Sequence, residues 1–270
     1  MDFHEINRDG LVLLGCGKMG RALLEGWLVA GLESRRTLVL DPTPPDGLDD
    51  YGVTVNEALP EAPAILVVAV KPQMMDEALA SVTALGGGRT LVISIAAGTP
   101  LSRLEAAFGP GTPIVRAMPN TPAAVRKGVS ALIGNAAAEE THLAAAETLM
   151  NAVGDTIRLT SEDQIDWVTA ISGSGPAYVF HMMECLADAG KHLGLPREQA
   201  LRLAIQTVAG AGELALASDE PPAELRRNVT SPGGTTAAAL EVLMDDETGL
   251  APLVRRTAEA AAARAAELGR

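Results

Sequence analysis

The sequence predicts an N-terminal α/β domain with a parallel sheet, followed by an all-helical domain. From Leu11 to about Thr160, short apolar runs alternate with helical stretches, and runs such as residues 65–70 are apolar at every position. This pattern is typical of parallel strands that helices cover on both faces. After Ser161 the β-branched runs stop and helical patterns continue to the end. We therefore place the two domains at residues 1–160 and 161–270.

Seven strands are predicted in the first domain, each a short run rich in aliphatic and β-branched residues. Because helical stretches separate most of them, we expect repeated strand–helix–strand units in a single sheet. The predicted strands cover residues 11–15, 37–41, 64–70, 90–95, 113–118, 129–133 and 156–159.

A glycine-rich loop follows the first strand directly and leads into a helix. In this setting Gly15 permits the tight turn, Gly17 lets a pyrophosphate approach the backbone, and Gly20 lets the helix pack closely. The pattern predicts a Rossmann-like dinucleotide site, although a tight turn without a ligand is the alternative interpretation. The predicted cofactor-binding loop consists of Gly15, Cys16, Gly17, Lys18, Met19 and Gly20.

Asp41 ends the second predicted strand, about twenty residues beyond the loop, where an acidic side chain accepts hydrogen bonds from the adenine ribose. No Arg or Lys occurs between Pro42 and Val53 to bind a 2′-phosphate, so the sequence favours NADH. The alternative is that Asp41 only forms a turn before Pro42.

The carboxyl ends of later strands are expected to border the same crevice. Small residues there would admit the ribose and nicotinamide, whereas Lys71 could equally be a solvent-exposed lysine at the start of a helix. The residues that we assign to the cofactor site at these strand ends are Ala69, Val70, Lys71, Pro72 and Ala97.

The second domain, roughly 110 residues long, is rich in small side chains and poor in large apolar ones. The helix that begins near Pro196 places small and aliphatic residues on one face, namely Ala200, Leu203, Ala204, Thr207, Val208 and Ala211. Such a domain would have a thin core alone. We therefore expect it to bury its remaining apolar surface against a second copy of the chain, in a homodimer.

A glycine- and hydroxyl-rich turn at residues 228–236 precedes a predicted helix from Ala237 to Met244. Unpaired backbone N–H groups at the start of that helix would form a carboxylate site. The alternative is an ordinary interhelical turn with Ser or Thr capping.

Composition excludes several functional classes. The net charge is −13, and without a basic cluster we expect no nucleic-acid partner. The two cysteines and four histidines lack the spacing of metal ligands, so no metal is expected. The start of the sequence lacks a secretory pattern and no apolar run is long enough to span a bilayer, so we expect a cytoplasmic protein without membrane contacts.

Five segments, in order along the chain, resemble the pyrroline-5-carboxylate reductase family. They are residues 15–20, 69–73, 116–122, 172–178 and 231–236. The resemblance implies a Rossmann domain and a helical domain that dimerises by interlocking, with rings of dimers in some members. It also implies an active site that combines one subunit's cofactor domain with helical segments including the partner's.

The resemblance also assigns roles to residues. Ser231 and the turn formed by Gly233, Gly234, Thr235 and Thr236 are expected to bind the carboxylate of the substrate, and the Thr236 hydroxyl to meet its ring nitrogen. We further expect cofactor contacts from the residues that match family positions near the cofactor and from the segment 116–122. These additional residues are Asn56, Asn120 and Asn228.

One departure concerns the cofactor. Family members commonly carry a small hydroxyl residue near the end of the second strand and prefer NADPH, whereas this chain has Asp41. The cofactor is therefore NADPH or NADH, and Asp41 favours NADH.

The implied reaction is reduction of 1-pyrroline-5-carboxylate to L-proline, the last step of proline biosynthesis. No catalytic triad is recognisable, which suits a cyclic imine that arrives already protonated, so we expect catalysis by orientation with Thr236 as the catalytic residue. Three alternatives stay open: a reductase of a related cyclic imine acid, a β-hydroxyacid dehydrogenase using Lys191, and a non-enzymatic dinucleotide sensor.

Overall fold

The computed structural model describes residues 1–269 and divides the chain into two compact units. Unit 1 comprises Met1–Gly173 together with the chain end from Ala261, and unit 2 comprises Ser174–Ala260. The boundary predicted at residue 160 lies earlier than this division. Residues 161–173 are helical, yet they pack with the sheet: Ile165 is buried, and Glu162 pairs with Arg116 of a central strand.

Unit 1 is built on an eight-stranded sheet with the order β3-β2-β1-β4-β5-β6-β7-β8. All neighbouring strands are parallel except β6 and β7. The strands are β1 Leu11–Leu14, β2 Thr37–Leu40, β3 Thr54–Val55, β4 Ile65–Val68, β5 Leu91–Ser94, β6 Ile114–Met118, β7 Gly128–Gly134 and β8 Gly154–Arg158. This arrangement confirms the predicted α/β domain.

Two features of the sheet differ from the sequence prediction. β3 was not predicted, because two residues are too few for a recognisable periodic pattern. β7 runs antiparallel to β6. The connection between them, residues 119–127, holds only the short 3₁₀ turn Thr121–Val125, and a parallel connection needs a longer crossover.

Helices cover both faces of the sheet, as the continuously apolar strands predicted. Leu11 and Leu13 of β1 belong to one buried apolar cluster, and Val12 and Leu14 belong to a second. Trp27 is fully buried and its indole N–H donates to the carbonyl of Leu149 at 2.9 Å. The helices of unit 1 are α1 Phe3–Asp9, α2 Lys18–Ala30, α3 Met75–Ala80, α4 Leu101–Phe108, α5 Glu140–Asn151 and α6 Gln164–Val168.

Unit 2 is entirely helical. Its helices are α7 Gly175–His192, α8 Arg197–Ala217, α9 Pro222–Asn228, α10 Thr235–Leu243 and the first part of α11 Leu250–Leu268, which ends within unit 1. In the described part of these helices, only Ala200 and Ala204 are buried. Leu216 and Val242 are about three-quarters exposed, at 76% and 75%.

The α8 helix is the one described helix that is long and apolar enough to cross a membrane, and only 11% of its most apolar stretch is buried. Large exposed apolar surfaces of this kind are typical of interfaces with other chains.

Candidate active site

The glycine loop joins β1 to α2, and the structure gives its three glycines different surroundings. Gly15 has a φ of +90°, and a Cβ there would lie 2.9 Å from the carbonyl oxygen of Ala69. A Cβ on Gly20 would lie 2.5 Å from the carbonyl oxygen of Gly15, whereas a Cβ on Gly17 would meet no atom within 4 Å. Two glycines therefore permit close packing, and Gly17 leaves open space.

Gly17 is the N-cap of α2, and no side chain caps this helix start, where Lys18 and Met19 form the first turn. The N–H groups at the start of a helix attract anions when no side chain occupies them. The open space at Gly17 and the uncapped start of α2 thus fit a pyrophosphate.

Asp41 lies directly beside this loop. Its Oδ2 accepts the backbone N–H of Cys16 at 2.7 Å, and its Oδ1 accepts the N–H of Thr43 at 2.8 Å. Asn56, at φ +52°, forms two hydrogen bonds with the Asp41 backbone, of 2.9 and 2.8 Å. Asp41 therefore forms a local turn, which was its alternative role in the sequence analysis. Its carboxylate also lies against the glycine loop.

The Cys16 side chain is buried within the loop. Burial, and secondly the negative charge of Asp41, raise the pKa of its thiol to about 11. The thiol is therefore protonated at neutral pH, and the loop uses the backbone N–H of Cys16 rather than a thiolate.

A cavity of about 380 Å³ lies at the carboxyl ends of β1, β2 and β4. Its volume falls in the usual range for small-molecule sites, and its position at strand carboxyl ends suits the adenosine half of a dinucleotide. The lining includes Leu14, Leu40, Asp41, Pro42, Asn56 and Val70.

The segment after β4 borders the glycine loop. Ala69 donates its N–H to the carbonyl of Leu14 at 2.7 Å, and Lys71 and Pro72 are exposed at a 3₁₀ turn. Ala97 is exposed after β5 and precedes Gly98, whose φ is +69°. The structure thus brings the strand-end residues Ala69 and Val70 to the loop and the cavity.

Asn120 is buried, and its side-chain amide forms hydrogen bonds with backbone groups. Its Oδ1 accepts the N–H of Val129 at 2.9 Å, and its Nδ2 donates to the carbonyl of Ser172 at 3.2 Å. Ser172 belongs to a π-helical turn, Thr169–Gly173. In this structure Asn120 therefore joins the ends of β6 and β7 to that turn, and its predicted cofactor contact stays a prediction.

The sequence analysis did not identify a polar cluster on α2. Arg21 donates from Nε to Glu25 at 2.9 Å, from Nη2 to the Tyr51 hydroxyl at 3.0 Å, and from Nη1 to the carbonyl of Asp46 at 3.3 Å. The Tyr51 hydroxyl donates to the same Glu25 oxygen at 2.5 Å. The i,i+4 spacing of Arg21 and Glu25 was the available signal for the ion pair, but nothing in the sequence indicated Tyr51.

In unit 2, the predicted glycine turn leads into α10. Gly233 has a φ of +69°, and Gly234 is the N-cap and donates its N–H to the carbonyl of Ser231 at 3.0 Å. A Cβ on Gly234 would lie 3.3 Å from the Ser231 hydroxyl, so glycine leaves room for that side chain.

No side chain caps α10. Within residues 1–269, the backbone N–H groups of Thr235, Thr236 and Ala237 have no protein acceptor. Ser231 and Thr235 are exposed in the single chain. The alternative of Ser or Thr capping therefore does not describe this turn, and its free N–H groups can donate hydrogen bonds to a carboxylate.

Asn228 lies at the end of α9, where its Nδ2 donates to Glu220 at 2.8 Å. The Thr230 hydroxyl donates to the carbonyl of Arg226 at 2.6 Å, at the end of the same helix. These two side chains are thus occupied locally, while in the turn that follows Ser231 and Thr235 are exposed and Thr236 is partly exposed.

Comparisons with known proteins agree across the chain. Residues 162–268 match the family described as pyrroline-5-carboxylate reductase dimerisation, and residues 11–98 match the family described as NADP oxidoreductase, coenzyme F420-dependent. The first match shows that unit 2 lies within a dimerisation domain, so the chain forms a homo-oligomer. The predicted fold class is confirmed.

The pyrroline-5-carboxylate reductase of Pseudomonas aeruginosa is 41% identical over 264 residues, covering 96% of each protein. The structure of that enzyme from Coxiella burnetii is 37% identical, with a TM-score of 0.91, covering 98% of this chain and 100% of the other. The Plasmodium falciparum structure with NADP bound is 31% identical, with a TM-score of 0.84 and coverages of 98% and 100%. The chain therefore belongs to the pyrroline-5-carboxylate reductase family.

Proposed function

We propose that this protein reduces 1-pyrroline-5-carboxylate to L-proline with NADH or NADPH, the last step of proline biosynthesis. The observation that carries the proposal is the uncapped, exposed start of α10. Three free N–H groups and the Ser231 hydroxyl suit the carboxylate of a small acid. A second uncapped helix start, in unit 1, suits the pyrophosphate of a dinucleotide.

Most of the residues that would hold the cofactor lie in unit 1. The loop Gly15–Gly20 would hold the pyrophosphate, and Asp41, Asn56 and Val70 would border the adenosine half. Ala69, Lys71, Pro72, Ala97 and Asn120 complete the set that we propose in this unit, and Asn228 of unit 2 is proposed as a further contact. When bound, the reduced nicotinamide supplies the hydride.

In the proposed substrate site, Ser231 and the backbone of Gly233, Gly234, Thr235 and Thr236 hold the carboxylate. The Thr236 hydroxyl accepts a hydrogen bond from the protonated ring nitrogen and fixes the face of the ring. The ring carbon of the C=N bond gains the hydride, the π electrons become the nitrogen lone pair, and the nitrogen keeps its proton. No protein acid is needed, so orientation is the main catalytic contribution.

We further propose a preference for NADH. The family match and the P. falciparum structure name NADP for related proteins. In this chain the Asp41 carboxylate lies against the glycine loop. There it would accept hydrogen bonds from the ribose hydroxyls and would repel a 2′-phosphate. Asp41→Ser is expected to raise kcat/KM for NADPH relative to NADH by about tenfold or more, roughly 1.4 kcal/mol. An unchanged ratio would leave Asp41 as a turn residue only.

The homo-oligomer is proposed to be a dimer, which can assemble further into a ring of dimers. We also infer a cytoplasmic location, because both cysteines are free thiols, as expected in a reducing compartment. The net charge of −13 supports the absence of a nucleic-acid partner, and the exposed apolar residues of α8 suit a second copy rather than a membrane.

The direct test is loss of reduced-nicotinamide absorbance when 1-pyrroline-5-carboxylate is added to the protein with NADH or NADPH. Rapid oxidation is expected, with L-proline as the product. The six-membered homologue should react more slowly, because one methylene is worth about 1 to 3 kcal/mol in a pocket. Faster turnover of the homologue would identify a related imine reductase, turnover of β-hydroxyacids alone a dehydrogenase, and cofactor binding without any turnover a sensor.

A further inference from the structure

The polar cluster of Arg21, Glu25 and Tyr51 lies between the start of α2 and the segment that follows β2. Asp41 lies next to this region, because it contacts Cys16, two residues before α2 begins, and Thr43 of the segment after β2. In Rossmann-like sites this region surrounds the ribose 2′-hydroxyl, where an arginine accommodates the 2′-phosphate of NADP.

The charges in this region are mostly negative. The segment from residue 42 to residue 53 contains Asp46, Asp49 and Asp50 and has no Arg or Lys. Arg21 is a cation that contacts this segment, through the Asp46 carbonyl and the Tyr51 hydroxyl. Its guanidinium also lies over the Tyr51 ring, 5.7 Å from the ring centre.

All three nitrogens of the Arg21 guanidinium have a protein partner. The hydrogen bonds from Tyr51 and, secondly, Arg21 lower the pKa of Glu25, so its carboxylate stays ionised at neutral pH. A phosphate that used this guanidinium would have to replace charge-assisted hydrogen bonds and approach the Glu25 carboxylate.

We propose that Arg21 is a latent 2′-phosphate ligand that Glu25 and Tyr51 occupy, so that this cluster is a second determinant of cofactor choice beside Asp41. The inference rests on the proposed preference for NADH and extends it. Asp41 repels the phosphate, while the cluster withholds the cation that would bind it. An arginine is suited to this role because its planar donors match a phosphate.

The test compares the Kd for NADPH and for NADH, from calorimetric titration without substrate, and kcat/KM for both cofactors, in Glu25→Gln, Asp41→Ser and the double variant. Glu25→Gln removes one negative charge and releases the Arg21 guanidinium. As a single substitution it is expected to raise the ratio of kcat/KM for NADPH to kcat/KM for NADH about fivefold. In the double variant it is expected to rise about tenfold above that of Asp41→Ser. The KM for the imine acid should stay within about twofold throughout.

A second substitution separates this role from a structural one. Adding Arg21→Gln to the Glu25→Gln/Asp41→Ser double variant, in which Arg21 is released, should lower kcat/KM for NADPH about tenfold and leave that for NADH within about twofold. Arg158→Gln is the matched control, because the Arg158 guanidinium is likewise held by carboxylates of its own unit, those of Glu140 and Glu147, but lies on β8. It should leave the cofactor ratio unchanged.

The outcomes are distinguishable. If Asp41→Ser leaves the ratio unchanged but Glu25→Gln raises it, the role proposed for Asp41 fails and the inference about Arg21 stands. If Arg21→Gln weakens both cofactors equally, Arg21 is only a structural contact and the inference is overturned. Should Glu25→Gln fail to fold, Tyr51→Phe removes a partner of both residues and is expected to raise the ratio about threefold; no rise would also overturn the inference.

Discussion

The two units differ in how much of their apolar surface a single chain buries. In unit 1, both faces of the sheet are covered, and large side chains such as Trp27, Ile65 and Leu66 are fully buried. In unit 2, the buried residues of the described helices are two alanines, and residues such as Leu203 remain more than half exposed. Unit 1 thus has a complete core, whereas the core of unit 2 requires another chain, consistent with its match to a dimerisation family.

The largest predicted effect comes from placing charge on α8. Leu203 and Leu214 are 56% and 55% exposed in the single chain, and their separation of eleven residues places them on one helix face. Leu203→Glu with Leu214→Glu is expected to weaken dimerisation about a thousandfold or more, because carboxylates would be buried without partners. Sedimentation velocity should show monomers, with loss of turnover.

The matched control for this variant lies in unit 1. Val29 and Val125 are each 69% exposed, and Val29→Glu with Val125→Glu should leave the dimer and its turnover intact. A stable dimer in the α8 variant, or dissociation in the control, would contradict the proposed difference between the units.

The next effect concerns the turn in unit 2. Thr236→Val should lower kcat about a hundredfold, because it removes the hydroxyl proposed to orient the ring nitrogen. Thr235→Val is the matched control, since Thr235 is proposed to act through its backbone N–H alone, and it should retain most of the activity. The Kd for NADH should be unchanged in both. Equal losses of turnover would remove the role of the Thr236 hydroxyl.

The cysteines report on burial in each unit. Because burial raises the pKa of Cys16 to about 11 from an ordinary value of 9.0, its thiolate fraction at pH 7 is about a hundredfold below that of an ordinary thiol. In the dissociated α8 variant, Cys185 should be alkylated rapidly and Cys16 at least a hundredfold more slowly. The Cys16 rate should rise with pH up to about 11. Equal rates at pH 7 would show that unit 1 does not keep its core as a single chain.

The smallest effect is expected at the glycine loop. Gly17→Ala should raise the KM for NADH about tenfold without changing the Tm, since a Cβ there meets only open space in the protein. Gly15→Ala should instead lower the Tm, because Gly15 has a positive φ and lies close to the Ala69 backbone. Thermal unfolding and cofactor kinetics on both variants check this contrast, and an unchanged KM in Gly17→Ala would argue against pyrophosphate binding.

Much of unit 1 could be predicted because its signals are local. Continuously apolar runs identified its central strands, and the spacing of the loop glycines located the strand-to-helix turn, where Gly15 and Gly20 are required by close packing. The antiparallel direction of β7 follows from its short connection to β6, residues 119–127, whereas the packing of residues 161–173 depends on tertiary contacts that no local pattern reports. For the same reason the sequence did not reveal Tyr51 as a partner of Arg21, thirty residues away.

In unit 2, the sequence identified the glycine turn but left its role open between capping and carboxylate binding. The structure distinguishes these interpretations because α10 lacks a side-chain cap. The thin core of the helical unit could also be anticipated, since small residues dominate its predicted helix face.

The central claim, that free N–H groups at the start of α10 bind the substrate carboxylate, can be tested by residue-resolved amide hydrogen exchange. The oxidised cofactor and L-proline would be added to the intact oligomer. The amides of Thr235, Thr236 and Ala237 are expected to exchange at least tenfold more slowly than with the cofactor alone. Unchanged exchange at these three amides, with proline bound and protection elsewhere, would contradict the claim.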